Sequence, residues 1–341
     1  MQSKGSKQLA FMKDGDGRYL VGLGPFRSCA EAPESGTAFY CNDFTLSDPE
    51  PWKIPAEVLE VDSLKELGFE GGAAEVDWSE LQPDGFAKVF AEINEAIGRG
   101  VIEKSVPVAA ECGMLTGAAD VGVEIIGRMA CLGAPFYSYG WCDGARGFCG
   151  GTPELLFALD ACRLKTMALA GTAKADERDV FAVDGKEIRE HEFVAQTLVA
   201  KLSDIGDVTR GGREMMDLGQ LVHFHTAIDV ELFAPRGMDD LIRRLHPTPA
   251  LGPLPRTVDT LRSLAEWRDR LHCPSHFGAP FGLLHDGVFC SVVAIRGVHW
   301  DGLNISVPAG CGVIEASRLV NEWRELRLKR EAVKSVFGWM G

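Results

Sequence analysis

The amino-acid sequence predicts a protein of helices and strands in which the strands form a large mixed or antiparallel sheet. The first observation is a series of short apolar runs separated by Gly, Asp and Pro, the pattern of strands joined by turns. The second is the presence of segments whose apolar residues recur at helical spacing. The third is size, because 341 residues with 46% hydrophobic content suffice for one large core or two packed halves.

The N-terminal part, to about residue 75, is predicted to be rich in strands, with apolar runs at residues 18–23 and 38–40. Residues 46–57 contain three prolines and are predicted to form a loop or a crossing linker, without regular structure. Residues 82–99 then change to a helical period. The apolar face of this helix consists of Phe86, Val89, Phe90, Ile93 and Ile97.

The central part alternates between predicted strands and turns. A β-branched run surrounds Lys104, a second apolar run lies at residues 135–141, and a glycine cluster follows at 144–154. A helix is predicted from Gly185 onward. Residues 243–257 contain a run of four prolines in nine residues and are predicted to be a rigid loop. The helix after Gly185 has an apolar face formed by Val194, Ala195, Leu198, Val199 and Leu202.

The C-terminal part contains two more predicted strands, at residues 288–295 and 303–307. They lead to the segment 307–329, which has the pattern of a strand end, a glycine loop and a helix. Gly310 and Gly312 leave room for a ligand to approach the backbone, and the amides around them are free to point at an anion. The apolar stripe of the following helix consists of Leu319, Trp323, Leu326, Val333 and Phe337.

Composition excludes some classes of function. The net charge of −14 and the lack of a basic patch argue against a nucleic-acid partner. No stretch reaches 18 uninterrupted apolar residues and the first residues lack the apolar core of a signal peptide, so we expect a cytoplasmic protein with no membrane partner. The ten cysteines show no CxxC spacing, which predicts reduced thiols. A metal site at His272, Cys273 and His276 lacks a fourth ligand and is not favoured.

Two pairs of glutamates share the same spacing of three residues on two predicted helices. Glu187 and Glu190 lie in one helix, and Glu322 and Glu325 lie in the other, where Lys329 shares their side. Both pairs fall on or beside an apolar stripe, and buried carboxylates repel one another unless a cation lies between them. Oxygen-only ligation of this kind suits Mg²⁺. The alternatives are a solvated helix face and acidic residues at helix N-termini.

Lys104 and Glu154 are candidates for acid–base chemistry. Lys104 lies inside a strand-like run, where it is either a charge on a sheet edge or, in a dry cleft, a lysine able to act as a general base. Glu154 follows the glycine cluster, a position where the chain turns tightly beside a ligand. The alternative for Glu154 is a carboxylate at a helix start after Pro153.

At residues 245–256, LHPTPALGPLPR resembles the signature loop of chorismate-utilising enzymes, a family that includes isochorismate synthases, salicylate synthases and the large subunits of anthranilate and aminodeoxychorismate synthases. Other segments match the family in order and approximate spacing, and together they cover about residues 82–337. These segments are GGTPELL, LAGT, KEIREH, AIR, PAGCGVI and NEWRELRLK.

The resemblance implies one α+β domain over residues 1–341, with two large antiparallel sheets in a sandwich and helices outside. Residues 1–81 are its strand-rich N-terminal part and 82–337 its catalytic core. Glu190 and Glu325 are implied to bind Mg²⁺, with Glu187 and Glu322 in support. Lys104 is implied to activate water for attack at C2 of chorismate, and Glu154 to protonate the departing C4 hydroxyl. The implied contacts to substrate are Thr172, His223, Arg296, Gly310, Gly312 and Lys329.

Two positions separate the branches of the family. Ala170 replaces a nucleophilic lysine of some aminodeoxychorismate synthases, and Lys104 replaces the glutamine usual in ammonia-using members. Both indicate that water is the nucleophile, so we expect isochorismate as the product and no glutaminase partner. Salicylate synthases share both features and remain an alternative. A catalytically silent chorismate-binding subunit is another, because Phe277 replaces a family tyrosine, Ala173 replaces an arginine and the N-terminal part is short.

Overall fold

The computed structural model describes residues 8–14, 17–118, 120–129 and 132–339. The N-terminal strands are β1 (Gln8–Asp14), β2 (Tyr19–Leu23), β3 (Arg27–Cys29), β4 (Ala38–Cys41), β5 (Trp52–Ile54), β6 (Glu57–Val61) and β7 (Glu75–Trp78). The later strands are β8 (Lys104–Ser105), β9 (Val108–Thr116), β10 (Tyr137–Asp143), β11 (Arg146–Thr152), β12 (Leu155–Asp160), β13 (Arg163–Lys174), β14 (Gly206–Arg210), β15 (Glu214–Asp217), β16 (Leu221–Leu232), β17 (Pro280–His285), β18 (Val288–Val293), β19 (Gly297–Asp301), β20 (Asn304–Gly310) and β21 (Val313–Ile314).

Helices cover the outer faces of the strands. They are α1 (Asp84–Gly98), α2 (Val121–Arg128), α3 (Arg178–Phe181), α4 (Gly185–Leu202), α5 (Met238–Leu245), α6 (Val258–Arg270) and α7 (Leu319–Val336). Short 3₁₀ turns lie at Leu64–Leu67 and Ala175–Glu177. The Asp184 side chain accepts hydrogen bonds from the amides of Lys186 and Glu187, and this cap fixes where α4 begins.

The strands form two large antiparallel sheets, which confirms the predicted α+β sandwich class. The first sheet has the order β6-β2-β1-β10-β11-β19-β20-β9-β7. The second has the order β14-β16-β13-β12-β18-β17-β4-β5-β3, with β15 also paired to β16. A small ribbon joins β8 to β21. Strands of the N-terminal part therefore extend both large sheets and do not form a sheet of their own.

Buried apolar residues lie in three layers. Between the sheets, residues of both pack together, with Phe39 and Phe281 from the second sheet and Tyr139 and Phe148 from the first. The second sheet buries its outer face under α4, α5 and α6. The outer face of the first sheet lies under α2 and α7, while α1 packs against the middle of α7. This arrangement brings α4 and α7, which carry the two glutamate pairs, to the same end of the sandwich.

Several predicted elements agree closely with the structure. The helix predicted from Gly185 is α4, and the one predicted at 82–99 is α1, whose Phe86, Val89, Phe90 and Ile93 are buried. In the C-terminal helix the predicted stripe is buried most deeply at its later residues, and Leu319 and Trp323 are partly buried. The nine cysteines in the described part are free thiols, and Cys131 lies outside it.

Two loop predictions were wrong in part. Trp52–Ile54 forms strand β5, and Trp52 is fully buried. A strand is possible here because Pro51 and Pro55 flank it and do not interrupt its hydrogen bonds. The last turn of α5 extends into the segment predicted to be a rigid loop, and the helix ends at Leu245, just before the prolines begin. Helices α2, α3, α5 and α6 were not predicted.

None of the helices in the described part of the chain is both long and apolar enough to cross a membrane.

Candidate active site

A narrow cavity of about 70 Å³ lies where strands β13, β16 and β20 meet helices α4 and α7. Nine of the twelve residues proposed from the sequence line it. They are Glu154, Thr172, Glu190, His223, Arg296, Gly310, Gly312, Glu325 and Lys329. The other three, Lys104, Glu187 and Glu322, are buried directly behind this lining.

A single ammonium group joins one glutamate of α4 to one glutamate of α7. Lys186 Nζ lies 3.0 Å from Glu187 Oε1 and 3.1 Å from Glu322 Oε1, so one lysine joins the two helices. Burial alone lowers the pKa of Lys186, but the carboxylates of all four glutamates outweigh it and hold that pKa far above its ordinary value. Lys186 therefore stays charged and neutralises part of the cluster.

The carboxylates still repel one another despite the charge of Lys186. Burial, and then the nearby charge of Glu190, raise the pKa of Glu187 to about 7. Glu187 also accepts a hydrogen bond from the Thr172 amide, at 3.0 Å. Burial and the charge of Glu325 likewise raise the pKa of Glu322, which is fully buried. The site thus has an excess of buried negative charge, which a bound cation would stabilise.

Lys104 is an interior residue and not an exposed charge on a sheet edge. It lies in β8, between β21 and the proline-rich loop at Leu254, and its side chain is fully buried. Its ammonium lies 3.0 Å from Glu190 Oε1, in an ion pair that lacks the angles of a hydrogen bond. Burial works to raise the pKa of Glu190, but the Lys104 charge outweighs it and holds that pKa below its usual value.

Gly312 explains how Glu190 and Lys104 can meet. A Cβ atom at this position would collide with Glu190 Oε1 and lie 3.1 Å from Lys104 Cε. The glycine loop therefore makes room for a carboxylate of the protein itself, in addition to any space that it leaves for a ligand. At the other end of the loop, Lys329 Nζ donates a hydrogen bond to Gly310 O at 2.9 Å and lies 2.6 Å from Glu325 Oε1.

Glu154 has the properties of a general acid. It lies between β11 and β12, only 4% exposed, and accepts a hydrogen bond from Thr248 Oγ1 at 2.9 Å. Burial raises the pKa of Glu154 to about 7, although Thr248, Lys104 and Lys329 act to lower it. A large fraction of this carboxyl is consequently protonated near neutral pH, which is the state an acid catalyst needs.

His223, Arg296 and Thr172 form a hydrogen-bonded wall of the cavity. Arg296 Nη2 lies 2.7 Å from His223 Nε2, and an arginine can only donate, so the imidazole proton is on Nδ1. That nitrogen lies 2.6 Å from Gly171 O and 3.1 Å from Thr172 Oγ1. Burial, and then the charge of Arg296, hold the pKa of His223 well below its ordinary value. The wall therefore presents a fixed positive charge beside a neutral ring.

Local backbone features place this wall. Gly171 adopts φ +77°, and the pairing of β13 with β16 shifts its register between Ala170 and Thr172. This bulge turns the Thr172 amide toward α4. Arg296 also has a positive φ of 56°, which is unusual for a residue with a side chain and marks a strained position in the cavity wall.

The residues fit a magnesium ion by the chemistry of their donors. All four side chains are carboxylates, one buried oxygen of Glu322 has no hydrogen-bond partner among the described residues, and Gly312 leaves space at Glu190. In the structure, these carboxylates form ion pairs with lysine ammonium groups. Within the described residues, no three carboxylate, imidazole or thiolate groups converge closely enough to hold an ion, including those at His272 and His276. The magnesium site stays a prediction that requires the lysines to move.

Two important side chains were not identified from the sequence. Lys186 directly precedes Glu187 and is the cation between the helices, a role that the spacing of the glutamates alone does not reveal. Thr248 belongs to the proline-rich loop that carries the family resemblance, and it binds the Glu154 carboxyl. A search for hydroxyl groups inside the recognised motifs would have pointed to Thr248. Ala170 and Phe277, noted for their departures from other family members, both line the cavity.

The fold and the cavity define an α+β protein of two antiparallel sheets with a buried site of paired carboxylates and cations. Residues 60–338 match the chorismate binding enzyme family, and the chain belongs to that family. The isochorismate synthase MenF of Haemophilus influenzae is 28% identical over 214 residues, which are 59% of this chain and 48% of that protein. MenF of Bacillus subtilis is 31% identical over 206 residues, 56% of this chain and 42% of that protein. The chain thus spans about half the length of these relatives.

Solved structures share the fold. The menaquinone-specific isochorismate synthase MenF of Escherichia coli superposes with a TM-score of 0.80 at 18% identity, over 98% of this chain and 90% of that one. Anthranilate synthase component I of Streptococcus pneumoniae superposes with a TM-score of 0.67 at 14% identity, over 99% and 93%. At these identities the likeness concerns the fold alone.

Proposed function

We propose that the protein converts chorismate to isochorismate in a magnesium-dependent reaction. The observation that carries the proposal is Glu154, a buried carboxyl in the cavity whose pKa is raised to about 7 beside a set of cations. Such a group donates a proton to a poor leaving group at neutral pH. Similarity to isochorismate synthases supports the choice of substrate and product.

The proposed reaction exchanges one hydroxyl group for another. Water attacks C2 of chorismate and passes a proton to Lys104, both ring double bonds shift by one position (to C1=C6 and C4=C5), and the C4 hydroxyl leaves as water after it takes a proton from Glu154. The number of atoms is unchanged between substrate and product. The substrate is dianionic, and Arg296, Lys329 and the amides of the glycine loop supply positive charge and hydrogen-bond donors for its carboxylates.

The state of Lys104 explains why a metal is part of the proposal. The Lys104 ammonium lies 3.0 Å from Glu190 Oε1, so the proposed base and a proposed metal ligand are paired with each other in the structure. Magnesium would be held by Glu190 and Glu325, with Glu187 and Glu322 in support, and its contribution is to anchor a substrate carboxylate. Glu190 would then be held by the metal, and Lys104 would be left to face the attacking water.

Water is favoured over an amine as the nucleophile. Ala170 lines the cavity where some family members carry a nucleophilic lysine, so β13 presents a methyl group there and no amine. Lys104 occupies the position at which ammonia-using members have glutamine. Both features agree with isochorismate formation and with a protein that works without a glutaminase partner.

Product analysis tests the proposal. Purified protein is incubated with chorismate, with and without MgCl₂, and the products are separated by chromatography. Isochorismate that forms only with magnesium is the expected result. Salicylate with pyruvate would instead identify a salicylate synthase, and binding of unchanged chorismate would identify a silent subunit. The Lys104→Gln variant is expected to lose about 10²- to 10⁴-fold in turnover, because it removes the base.

A further inference from the structure

The proline-rich loop reaches the active site through Thr248, whose hydroxyl donates to Glu154 Oε1 at 2.9 Å. Burial raises the pKa of Glu154, and this hydrogen bond is the largest of the effects that lower it. The charges of Lys104 and Lys329 act in the same direction as Thr248. The position of the Thr248 hydroxyl therefore influences how readily the proposed acid gives up its proton.

Thr248 lies in a compact turn. Its carbonyl accepts hydrogen bonds from the amides of Leu251 and Gly252, at 2.9 and 2.7 Å. A Cβ atom at Gly252 would lie only 3.1 Å from both Pro247 and the Thr248 carbonyl oxygen, so the turn is tightly closed. Such a turn moves as a unit, and the contacts at its two ends decide where Thr248 lies.

The far end of the turn is attached to strand β8 by the backbone. The Leu254 amide donates to the Lys104 carbonyl at 3.0 Å, and the Glu103 amide donates to the Leu254 carbonyl at 2.6 Å. These hydrogen bonds connect the loop to the strand that carries the proposed base. Because both are backbone bonds, this end of the loop does not depend on the identity of a side chain.

The near end of the turn depends on a side chain, His246. Its imidazole is only 1% exposed, and Nε2 lies 2.7 Å from the Phe44 carbonyl oxygen. A carbonyl can only accept, so Nε2 carries the proton. Burial lowers the pKa of His246 to about 3, although its bond to Phe44 opposes this. The nearby positive charges also lower that pKa, and they are those of Arg256, Arg268 and Lys201. The ring therefore stays neutral near neutral pH.

Phe44 is a well-packed anchor for His246. It lies in the loop after β4, before residue 60, where the family match begins. Its amide donates to the Ser275 carbonyl at 2.8 Å, and its ring meets the His246 ring edge to face at 5.0 Å. The guanidinium carbon of Arg268 lies 3.7 Å from the centre of the Phe44 ring, and the same group donates to the Phe277 carbonyl at 2.6 Å. Phe44 is thus joined to the segment that forms the cavity wall at Phe277.

We propose that His246 is a positioning residue for the acid, because its hydrogen bond to Phe44 holds the turn where Thr248 reaches Glu154. Without the imidazole donor, the Phe44 carbonyl would be buried and unpaired, and the two segments would separate to let water reach it. Thr248 would then move away from the carboxyl, and Glu154 would keep its proton to higher pH. This inference rests on the proposed function for the role of Glu154 as an acid, but the protonation of Glu154 can be measured without a substrate.

Carbon-13 NMR of the glutamate carboxyl groups in the full chain measures that protonation. The Glu154 signal is the one that is absent from Glu154→Gln. His246→Phe keeps a ring against Phe44 and removes the donor, so we expect the pKa of Glu154 to rise by about half a unit, a threefold change in its ionisation constant. His246→Gln retains an N–H donor and should restore the wild-type pKa.

A second substitution shows whether His246 acts through Thr248. In a Thr248→Val background, His246→Phe should cause no further rise, because the bond to Glu154 is already absent. An equal rise in both backgrounds would overturn the proposal. An unchanged pKa of Glu154 in folded His246→Phe would also overturn it, as would a His246→Gln variant shifted as far as His246→Phe. Ile125→Val is the matched control for a general loss of stability, because it trims the core under α2, and it should leave the pKa unchanged.

Thermal denaturation shows which variants are folded. If His246→Phe is not, His246→Met, whose flexible side chain also lacks a donor, takes the same test with the same expected rise. The pH–rate profile with chorismate is a separate readout, in which the alkaline limb should move to higher pH by about the same half unit. A complete lack of turnover by the wild type would refute the proposed function, whereas the NMR result alone decides this inference.

Discussion

Replacing Glu154 with glutamine has opposite expected effects on activity and on stability. The variant keeps the shape of the side chain and an oxygen that accepts the hydrogen bond from Thr248, but it has no proton to donate. Turnover is therefore expected to fall by about 10²- to 10⁴-fold, with little change in substrate binding. Because Glu154 is a buried group that titrates, the same change also alters how stability depends on pH.

The size of the stability effect follows from the pKa. Burial raises the pKa of Glu154 from 4.5 to about 7, so the carboxyl ionises more easily in the unfolded chain than in the folded protein. Below pH 4.5 both states are protonated and this group has no effect. Stability is lost as the pH rises from 4.5 to 7, and the loss levels off at about 3 kcal/mol, because a tenfold difference between two ionisation constants corresponds to about 1.4 kcal/mol. Glutamine does not ionise, so the stability of the variant does not fall in this way as the pH rises.

Urea unfolding at pH 5 and pH 8 measures the effect. The quantity compared is the free energy of unfolding of Glu154→Gln minus that of the wild type. We expect this difference to be about 2 to 3 kcal/mol more favourable to the variant at pH 8 than at pH 5. The matched control is Glu57→Gln, which makes the same substitution at an exposed glutamate of β6. If the wild type and Glu154→Gln differ by the same free energy at both pH values, the raised pKa and the acid role argued from it are wrong.

Three further substitutions test other parts of the site. Lys186→Met removes the ammonium that competes for the carboxylates, so magnesium affinity measured by calorimetry should rise about tenfold while the metal-free protein becomes less stable. Thr248→Val removes a hydrogen bond that favours the ionised form of Glu154, so the alkaline limb of the pH–rate profile should move to higher pH. Gly312→Ala places a methyl group against Glu190, and both magnesium affinity and turnover should fall by about 10²-fold.

Controls and contrary results differ among these three. For Gly312→Ala the control is Gly212→Ala, because a Cβ at Gly212 meets no described atom within 4 Å. Full activity of Gly312→Ala would show that Glu190 is not a ligand where it now lies. Weaker magnesium binding by Lys186→Met would show that Lys186 supports the metal site and does not compete with it. An unchanged pH–rate profile for Thr248→Val would show that Thr248 does not influence the pKa of Glu154.

Part of the arrangement of the candidate site could be predicted from the sequence. Helical spacing alone put Glu187 with Glu190, and Glu322 with Glu325, beside apolar stripes. In the structure one glutamate of each pair, Glu187 and Glu322, contacts the same lysine, Lys186. Such a prediction works because a helix fixes which residues share a face. The pairing of Lys104 with Glu190 depends instead on two segments about 86 residues apart meeting in space, which no local pattern contains.

The elements that were missed also have physical reasons. Helix α6 buries Thr260 and Arg268 along with Leu264 and Trp267, so polar residues interrupt the apolar stripe that marks a helix in a sequence. Arg268 reaches the core because its charge packs over the Phe44 ring at 3.7 Å and it donates to a backbone carbonyl.

The ion pairs between lysines and carboxylates in the candidate active site allow the protein to fold without a metal. Four glutamates held in or beside the core would repel one another in a chain that lacked counter-charges, and Lys104, Lys186 and Lys329 each neutralise at least one of them without a metal. The same pairs also tie the proposed metal ligands to lysines, beside a cavity of only about 70 Å³. In the proposed function, these pairs must separate before the reaction can take place. Any ligand that activates the site must therefore take carboxylates away from lysines, and a divalent cation is the ligand for which those carboxylates are suited.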